Sequence, residues 1–437
     1  MRAPTEREVA RRLLERIEDG AFANIVVPEG LRSSGLDDRQ RAFVTDLVYG
    51  TVRRHLALDH LLSAVSDRPL RRLDPPVRAA LRLGAYQLVE GIPPHAAVGE
   101  TVTATPRRAR GYVNAVLRRL AALGPAWPWP EGDGVAALAT RTSYPQWLVE
   151  RLVADLGEDA AVGVLDAGNR APAVTLRPNE RVTTAAILTE ELTAAGADVQ
   201  RGSLVPDALV VRGTGDPALL PAVADGRATP QDQASQAVVA VLDAQPGDTV
   251  VDVAAAPGGK TTAVAESVGP EGTVLALDVH PGRTRLVVRA AHRLHLDGTV
   301  RAAVADGRNL PLRPAHAARV LVDAPCSGLG VLARRPDARY RIRASDISDL
   351  ADLQRALLGE AASLVRPDGV LVYSVCTLTN AETIEVDEWA RAALPDFSAD
   401  EPPASPWRPQ GRGAMLLPQA SGTDGMYVLR LRRAAHP

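Results

Sequence analysis

From about residue 236 onward, the sequence alternates between short runs of strand-forming residues and helix-forming segments. The strand-like runs are DTVVDV (248–253), GTVLALDV (272–279), ARVLVDAP (318–325) and GVLVYSVC (369–376). A glycine-containing turn and a helical stretch follow the first run, and the helical segment 345–365 separates the last two. This alternation is typical of a doubly wound α/β domain with a mostly parallel sheet, which binds ligands at the carboxyl ends of its strands.

The N-terminal part of the chain has the periodicity of helices instead. In TEREVARRLLERIEDG (5–20), apolar residues recur at helical spacing, Thr5 and Glu8 form a capping-box pattern, and Gly20 supplies a stop. Further helical stretches cover 39–65, 75–91 and 111–123. These segments together predict an all-α domain.

At 437 residues the chain is longer than a single hydrophobic core usually supports. At about 150 residues per domain, this length suggests two or three domains. GPAWPWPEGDG (124–134) interrupts the helical pattern with proline and glycine. A mixed region follows, with strand-like segments at 171–179 and 208–213 around a helical one at 183–196. We expect a helical domain at 1–125, a linker at 126–139, a small α+β domain at 140–229 and the α/β domain at 230–437.

Charge and hydropathy narrow the class of protein. No apolar run approaches the roughly 18 residues of a membrane span, and the charged first twenty residues are unlike a signal peptide. We therefore expect a cytoplasmic protein with neither a membrane partner nor a metal site. The net charge of −2 does not indicate a cationic nucleic-acid binder by bulk charge, and two cysteines do not make a disulfide framework.

Three consecutive strand ends carry candidate cofactor-binding residues. The first strand runs into Ala254, Ala255, Ala256, Pro257, Gly258, Gly259 and Lys260, where small residues let backbone N–H groups approach a ligand at a helix N-terminus. Asp278 follows Gly259 by 19 residues, a spacing suited to ribose hydroxyls, and Asp306 follows another strand. PGGK is neither a GxxxxGK[ST] loop nor a GxGxxG fingerprint, which favours S-adenosylmethionine over nucleoside triphosphates and nicotinamide cofactors.

Both cysteines of the chain also stand at strand ends. Cys326 follows Asp323 in DAPCSG, and Cys376 ends VYSVC. A free cysteine is usually a small buried hydrophobic residue, but two at the ligand side of one sheet favour a chemical role. A thiolate that adds to C6 of a pyrimidine makes C5 nucleophilic toward a sulfonium methyl, and a base must later remove the C5 proton. Either cysteine is a candidate for the attacking group.

Lys260 is the one lysine among the 50 basic residues. Codon bias toward arginine accounts for the missing lysines but not for the one retained. Because an ammonium is a compact point charge and a guanidinium a wide fork, we expect arginine to fit poorly at this position.

At these motifs the chain resembles the Sun/Fmu (RsmB) branch of the NOL1/NOP2/Sun RNA cytosine-5 methyltransferases. The resemblance lies in AAAPGGKTT, DAPCSGLGVLARRPD, VYSVCT, PQDQASQ (230–236) and DGMYVLRLRR. The N-terminal segments LVYGTVRR, LRLGAYQL, HAAVGETV and GYVNAVLRR resemble the NusB-like RNA-binding domain of that branch. The resemblance implies a NusB-like all-α N-terminal domain, a small α+β middle segment and a Rossmann-like S-adenosylmethionine-dependent methyltransferase domain.

The resemblance also implies roles for individual residues. Cys376 would be the nucleophile and Cys326 would help release product, while Asp323 and Lys260 would act at the cofactor or the target base. Ala254 to Lys260, Asp278, Asp306 and Asp323 would contact S-adenosylmethionine or the base, with Arg283 beside the cofactor ribose. Two positions differ from the family: Val375 replaces a Thr before the nucleophile, and NAET (380–383) replaces Pro-Glu-Glu-Asn, with Glu382 retained.

The expected substrate is RNA, 16S ribosomal RNA in particular, bound by a monomer that does not act on DNA. Five arginines cluster around GYVNAVLRRL: Arg107, Arg108, Arg110, Arg118 and Arg119. If they lie on one face of the domain, they would form a basic surface that binds phosphates. Arg334, Arg335 and Asp337, just after Cys326 in the sequence, would guide the RNA strand into the ligand-binding crevice. Two alternatives stay open: a transfer RNA cytosine-5 methyltransferase, and a non-catalytic ribosome-assembly factor that retains a cofactor fold.

Overall fold

A computed structural model describes residues 4–132 and 134–435 of the chain. The contacts between residues divide it into two compact units. The first unit contains the chain up to Ala154 together with Leu165–Ala171 and Leu332–Ile342, and the second contains the remainder. None of the described helices combines the length and apolar character needed to cross a bilayer.

The first unit is helical, as the periodicity of its sequence predicts. Its helices are α1 (Glu6–Glu18), α2 (Ala23–Arg32), α3 (Asp38–Arg53), α4 (His55–Val65), α5 (Pro75–Val89), α6 (Pro94–Thr103), α7 (Arg110–Leu123), α8 (Val135–Thr142) and most of α9 (Gln146–Leu156). The predicted capping box is confirmed, because Glu8 N–H donates to Thr5 Oγ1 and Thr5 N–H to Glu8 Oε2. Fully buried leucines from α3, α5 and α7 form its core. The stretch expected as one helix at 39–65 divides at Arg54, and α8 begins inside the expected linker.

Arg339 ties the segment 332–342 into the helical unit. Its side chain is fully buried and lies 3.8 Å from the ring centroid of Tyr144. The guanidinium donates to the carbonyls of Arg53 and Gly168 and, at 2.8 Å, to Asn169 Oδ1. A buried guanidinium is tolerated where acceptors meet its planar fork of N–H groups, and backbone carbonyls supply most of them here.

The expectation that Asp337 guides RNA into the ligand-binding crevice is wrong, because its side chain is not available at the surface. Its side chain is only 5% exposed and pairs with Arg341, with Nε and Oδ2 3.2 Å apart. Its carboxylate also accepts the N–H of Ala23 at 3.4 Å, at the first residue of α2. Asp337 is therefore occupied by internal contacts of the helical unit, where a negative charge near a helix N-terminus is stabilising.

The second unit contains a four-stranded antiparallel sheet in the order β2-β3-β1-β4. The strands and helices around this sheet are β1 (Val174–Pro178), β2 (Asp198–Arg201), β3 (Leu209–Arg212), β4 (Ala228–Pro230), α11 (Ala185–Ala194) and α12 (Pro221–Ala224). The preceding helix, α10 (Glu158–Gly168), is divided between the two units at Leu165. Strands β1 and β3 and helix α11 match the predicted elements. Leu176, Leu188 and Leu209 form a separate small core between helix and sheet.

The larger sheet of the second unit holds the predicted strand–turn–helix alternation. Its elements are α13 (Gln233–Leu242), β5 (Thr249–Asp252), α14 (Gly259–Val268), β6 (Thr273–Asp278), α15 (Pro281–Arg293), β7 (Val300–Val304), β8 (Ala317–Asp323), α16 (Ala344–Leu364), β9 (Val365–Val375), α17 (Ile384–Ala393), β10 (Phe397–Ala399), β11 (Arg408–Gln410), β12 (Gly413–Leu416), α18 (Pro418–Ser421) and β13 (Met426–Arg433). The order is β11-β12-β13-β9-β8-β5-β6-β7, with β10 on β13. Strands β5 to β9 pair in parallel, so their carboxyl ends share one edge of the sheet.

Candidate active site

The turn after β5 is shaped to bring backbone N–H groups to a ligand. Gly258 has φ of 106°, a conformation that favours glycine, and α14 begins at the next residue. The first N–H groups of a helix have no intrahelical acceptor and therefore favour an anionic group. The buried guanidinium of Arg177 holds this helix start in place, donating at 2.8 Å to both the Gly259 carbonyl and Glu266 Oε1.

Asp278 ends β6 beside that turn and is nearly inaccessible to solvent. Its Oδ1 accepts the N–H of His280 at 2.9 Å, and its Oδ2 lies 3.5 Å from Arg283 Nη2. Arg283 also donates to the carbonyl of Ala256 at 3.1 Å, so the three predicted residues come together. S-adenosylmethionine carries ribose hydroxyl groups and a carboxylate. The Asp278 carboxylate can accept hydrogen bonds from the hydroxyl groups, and the backbone N–H groups of the neighbouring turn can donate to the ligand carboxylate, so these residues fit S-adenosylmethionine.

Asp306 lies apart from these contacts. It follows β7 by two residues, and its carboxylate pairs with the Arg308 guanidinium at 2.6 Å. Hydrogen bonds from the Arg308 side chain lower the pKa of Asp306 to about 2. The carboxylate is therefore ionised and solvent-accessible, and the pairing with Arg308 was not apparent from the sequence.

Lys260 and Asp323 form an ion pair at the ends of two different elements. Lys260 Nζ, at the start of α14, lies 2.7 Å from Asp323 Oδ2 at the end of β8. Ser374 is the register partner of Asp323 on β9, and its hydroxyl donates to Asp323 Oδ1 at 2.8 Å. Burial disfavours the Lys260 ammonium, but the charge and hydrogen bond of Asp323, together with the nearby Cys376 and Asp252, outweigh burial, so the pKa of Lys260 is raised. The lysine therefore carries its charge at neutral pH.

The two cysteines meet at the end of the sheet. Cys326 lies three residues beyond β8 and Cys376 directly follows β9, and their Sγ atoms are 3.3 Å apart. Both are half-buried and free. Parallel pairing of β8 with β9 brings their loops together, and the Gly330 N–H donates to the Cys376 carbonyl at 2.9 Å. A separation of 50 residues along the chain thus becomes a direct contact.

The thiols of this pair have opposite pKa shifts. The hydrogen bond from Cys326 lowers the pKa of Cys376, and the Lys260 ammonium lowers it further against the effects of burial and Asp323. The same hydrogen bond raises the pKa of Cys326 well above its usual value, with burial adding to the shift. Cys376 is therefore the thiol that ionises first, and Cys326 is the proton donor to it.

Sequence reasoning missed polar residues that surround these groups. Asp252 ends β5 and is fully buried, which raises its pKa to about 7, and it accepts a hydrogen bond from Thr261 at 2.7 Å. Glu382, which was noticed only as a retained family residue, contacts the segments after both cysteines. Hydroxyl residues directly after each cysteine, in CSG and CTLT, were the available signal.

The arginine cluster of the helical unit is exposed, as expected, but partly paired. Arg108 lies 2.9 Å from Asp74, and Arg119 lies 2.8 Å from Asp67. Such exposed ion pairs contribute little to stability, because solvent screens both charges. The cluster thus remains compatible with binding a polyanion.

Comparison with known proteins gives three consecutive matches to family models. The NusB family matches residues 4–122, the RsmF/B-like ferredoxin-like domain matches 144–216, and 16S rRNA methyltransferase RsmB/F matches 239–432. The probable ribosomal RNA small subunit methyltransferase B of Bacillus subtilis (strain 168) is 35% identical over 451 residues, covering 99% of this chain and 100% of that protein. The chain belongs to the RsmB/F methyltransferase family.

Other members and structures of similar fold agree with the RsmB/F assignment. The ribosomal RNA small subunit methyltransferase B of Thermus thermophilus is 35% identical, with 99% of each chain covered. The crystal structure of PH0851 superposes with a TM-score of 0.84 at 26% identity and covers 99% of this chain and 100% of that one. The predicted fold class is thereby confirmed: a helical NusB domain precedes a methyltransferase domain that uses S-adenosylmethionine.

Proposed function

We propose that this RsmB/F methyltransferase transfers a methyl group from S-adenosylmethionine to C5 of a cytosine in 16S ribosomal RNA, with Cys376 as the nucleophile. The observation that carries the proposal is the contact between the Sγ atoms of Cys326 and Cys376, 3.3 Å apart and close to the Lys260–Asp323 ion pair. A non-catalytic scaffold has no use for such an arrangement. The names of the relatives support ribosomal RNA as the substrate and the small subunit as its source.

The first step makes the cytosine ring nucleophilic. The Cys376 thiolate forms a bond to C6, and the ring electrons shift toward N3 and the carbonyl oxygen, which leaves C5 enamine-like. The Lys260–Asp323 pair offers the base a positive donor and a carboxylate acceptor together. Asp323 would accept from the exocyclic amine of cytosine, and Lys260 would stabilise the negative charge on the ring.

S-adenosylmethionine, when bound, supplies an electrophilic methyl group for C5. The turn at Ala254 to Lys260 and Asp278 would hold it, with Arg283 positioned by the Ala256 carbonyl. Asp306 would contribute a carboxylate at the rim of the same edge.

Cys326 is placed to act in the second half of the reaction. Once Cys376 is bonded to C6 it no longer accepts a hydrogen bond as a thiolate, so the largest cause of the raised Cys326 pKa disappears. Cys326 then ionises more readily by releasing its own proton to solvent. The Cys326 thiolate would remove the C5 proton, after which the C6–Sγ bond breaks and Cys376 leaves as a thiolate. The pair thereby gives each cysteine a separate role.

RNA binding would involve the NusB domain. The exposed arginines 107, 108, 110, 118 and 119 are suited to phosphates, which fix position without reading sequence. A base within a helix is unreachable by Cys376, so the target cytosine must be single-stranded or flipped. The cytoplasmic location and the monomeric state remain predictions.

Trapping of the covalent adduct tests the assignment of the two cysteines. Cys376→Ala should abolish methylation and give no adduct, whereas Cys326→Ala should accumulate protein–RNA adduct that survives denaturing electrophoresis. Bisulfite sequencing of 16S ribosomal RNA and transfer RNA, from cells with and without the gene, identifies the substrate. If only Cys376→Ala gave a trapped adduct, the proposed roles of the two cysteines would have to be exchanged. If deletion of the gene removed 5-methylcytosine only from transfer RNA, transfer RNA and not 16S ribosomal RNA would be the substrate.

A further inference from the structure

Glu382 is a fully buried carboxylate at the end of the short helical turn Asn380–Glu382. Five hydrogen bonds converge on its two oxygens. Oε1 accepts the Ser327 N–H at 2.8 Å and the Gln354 amide at 3.1 Å. Oε2 accepts the hydroxyls of Ser327, Thr377 and Thr379 at 2.5, 3.0 and 2.9 Å.

The donors come mainly from the two loops that carry the cysteines. Ser327 directly follows Cys326, and Thr377 directly follows Cys376. Their hydroxyls also lie 2.7 Å from each other, so the two loops share one hydrogen-bonded centre one residue away from the thiols. Glu382 thus accepts hydrogen bonds from both the loop after β8 and the loop after β9.

The Glu382 carboxylate is held by several buried hydrogen bonds and does not form a surface ion pair. All five donors are neutral, so the buried charge is stabilised by hydrogen bonds alone, and charge-assisted hydrogen bonds are the short and strong ones. Gln354 is held in turn by Tyr373, whose hydroxyl donates to Gln354 Oε1 at 2.9 Å. The Gln354 side chain that donates to Glu382 is therefore itself oriented by a hydrogen bond.

We propose that Glu382 is a positioning residue that sets the distance and orientation between the Cys326 and Cys376 thiols. The contribution of this residue to turnover rests on the two-cysteine chemistry proposed above, while its control of the thiol separation does not. A misplacement of about 1 Å in a reacting group costs roughly 100-fold in rate, so loss of the centre should act mainly on kcat. Binding of RNA and of S-adenosylmethionine should be little affected.

Glu382→Gln tests the proposal, with Glu388→Gln as the matched control. The control removes the same charge from an exposed position six residues further along the same segment. For Glu382→Gln we expect kcat to fall by roughly 10- to 100-fold, with KM for RNA and for S-adenosylmethionine within about twofold of wild type. The Glu388→Gln variant should behave as wild type, and thermal unfolding of both variants reports whether they are folded.

A second measurement reads the thiols directly and needs no methylation. A bifunctional alkylating reagent that bridges neighbouring thiols should cross-link Cys326 to Cys376 more slowly in Glu382→Gln than in wild type and in the Glu388→Gln control. Because the chain has only these two cysteines, every intramolecular cross-link reports their separation. Equal cross-linking rates and equal kcat in Glu382→Gln and wild type would overturn the proposal.

If Glu382→Gln does not fold, Thr379→Val serves in its place. It removes one of the five donors at constant side-chain size, and a smaller loss of both kcat and cross-linking rate is then expected; wild-type values would overturn the proposal. If the wild-type protein formed no 5-methylcytosine at all, the proposed function would fall, while the cross-linking comparison would still decide the role of Glu382.

Discussion

Replacing Cys326 with alanine is expected to raise the pKa of Cys376. In the native protein the Cys326 thiol donates across 3.3 Å to Cys376, and this hydrogen bond is the largest cause of the lowered Cys376 pKa. A hydrogen bond to a charged group contributes about 1.5–3 kcal/mol, and one pKa unit corresponds to about 1.4 kcal/mol. Its loss should therefore raise the pKa of Cys376, and the Lys260 charge remains to limit the rise.

A higher pKa of Cys376 shifts its alkylation to higher pH, because the thiolate and not the thiol reacts. Only the thiolate is alkylated, so the rate rises with pH through the pKa, and a lowered pKa extends reactivity toward acid. The midpoint of the rate profile should thus lie at higher pH in Cys326→Ala than for Cys376 in wild type. Iodoacetamide alkylation followed by peptide mass spectrometry resolves the two sites, and Cys326→Ala leaves a single thiol to follow.

The reciprocal variant provides the control. Cys376 is the main cause of the raised Cys326 pKa, so Cys376→Ala should lower the pKa of the remaining thiol. Opposite shifts in the two single-cysteine proteins are a signature of a hydrogen-bonded pair. An unchanged or lower Cys376 pKa in Cys326→Ala would refute the reasoning. Adduct trapping with that variant should accordingly be strongest at alkaline pH.

Two further substitutions test the cofactor site and the lysine. Asp278→Ala should weaken S-adenosylmethionine binding by roughly 10- to 100-fold in calorimetry, the effect of losing hydrogen bonds to a carboxylate, and unchanged affinity would remove Asp278 from the site. Lys260→Arg should lower kcat by roughly tenfold or more, because the wider guanidinium must fit a side-chain position only 10% exposed and 2.7 Å from Asp323, and overpacking of this kind costs about 1–3 kcal/mol. Wild-type turnover in that variant would show that the ammonium is not required.

Much of the methyltransferase domain was predictable because its signals are local. The parallel strands, the glycine turn and the acidic strand ends follow from short sequence windows, and the structure places them where such windows predict. The order of the strands and the antiparallel extension through β11, β12 and β13 depend on pairing between distant residues, which no window contains.

The candidate site divides in the same way. Sequence reasoning found Cys326 and Cys376 but left them nearly tied, because the difference between them arises from a 3.3 Å contact between the two thiols and from their buried surroundings. It found Lys260 and Asp323 separately and missed Ser374, whose role depends on being the register partner of Asp323. Burial and pairing, not residue type, decide such roles.

The place of segment 332–342 in the helical unit has a consequence for protein synthesis. Domains generally fold as they emerge from the ribosome, N-terminal part first. Here the carbonyls of Arg53 and Gly168 receive their hydrogen bonds from Arg339, a residue translated long after both of them. During translation of the strands β1 to β8, these carbonyl groups of the helical unit therefore lack the hydrogen bonds that Arg339 later donates. A nascent chain released before residue 339 would lack the hydrogen bonds that Arg339 donates within the first unit.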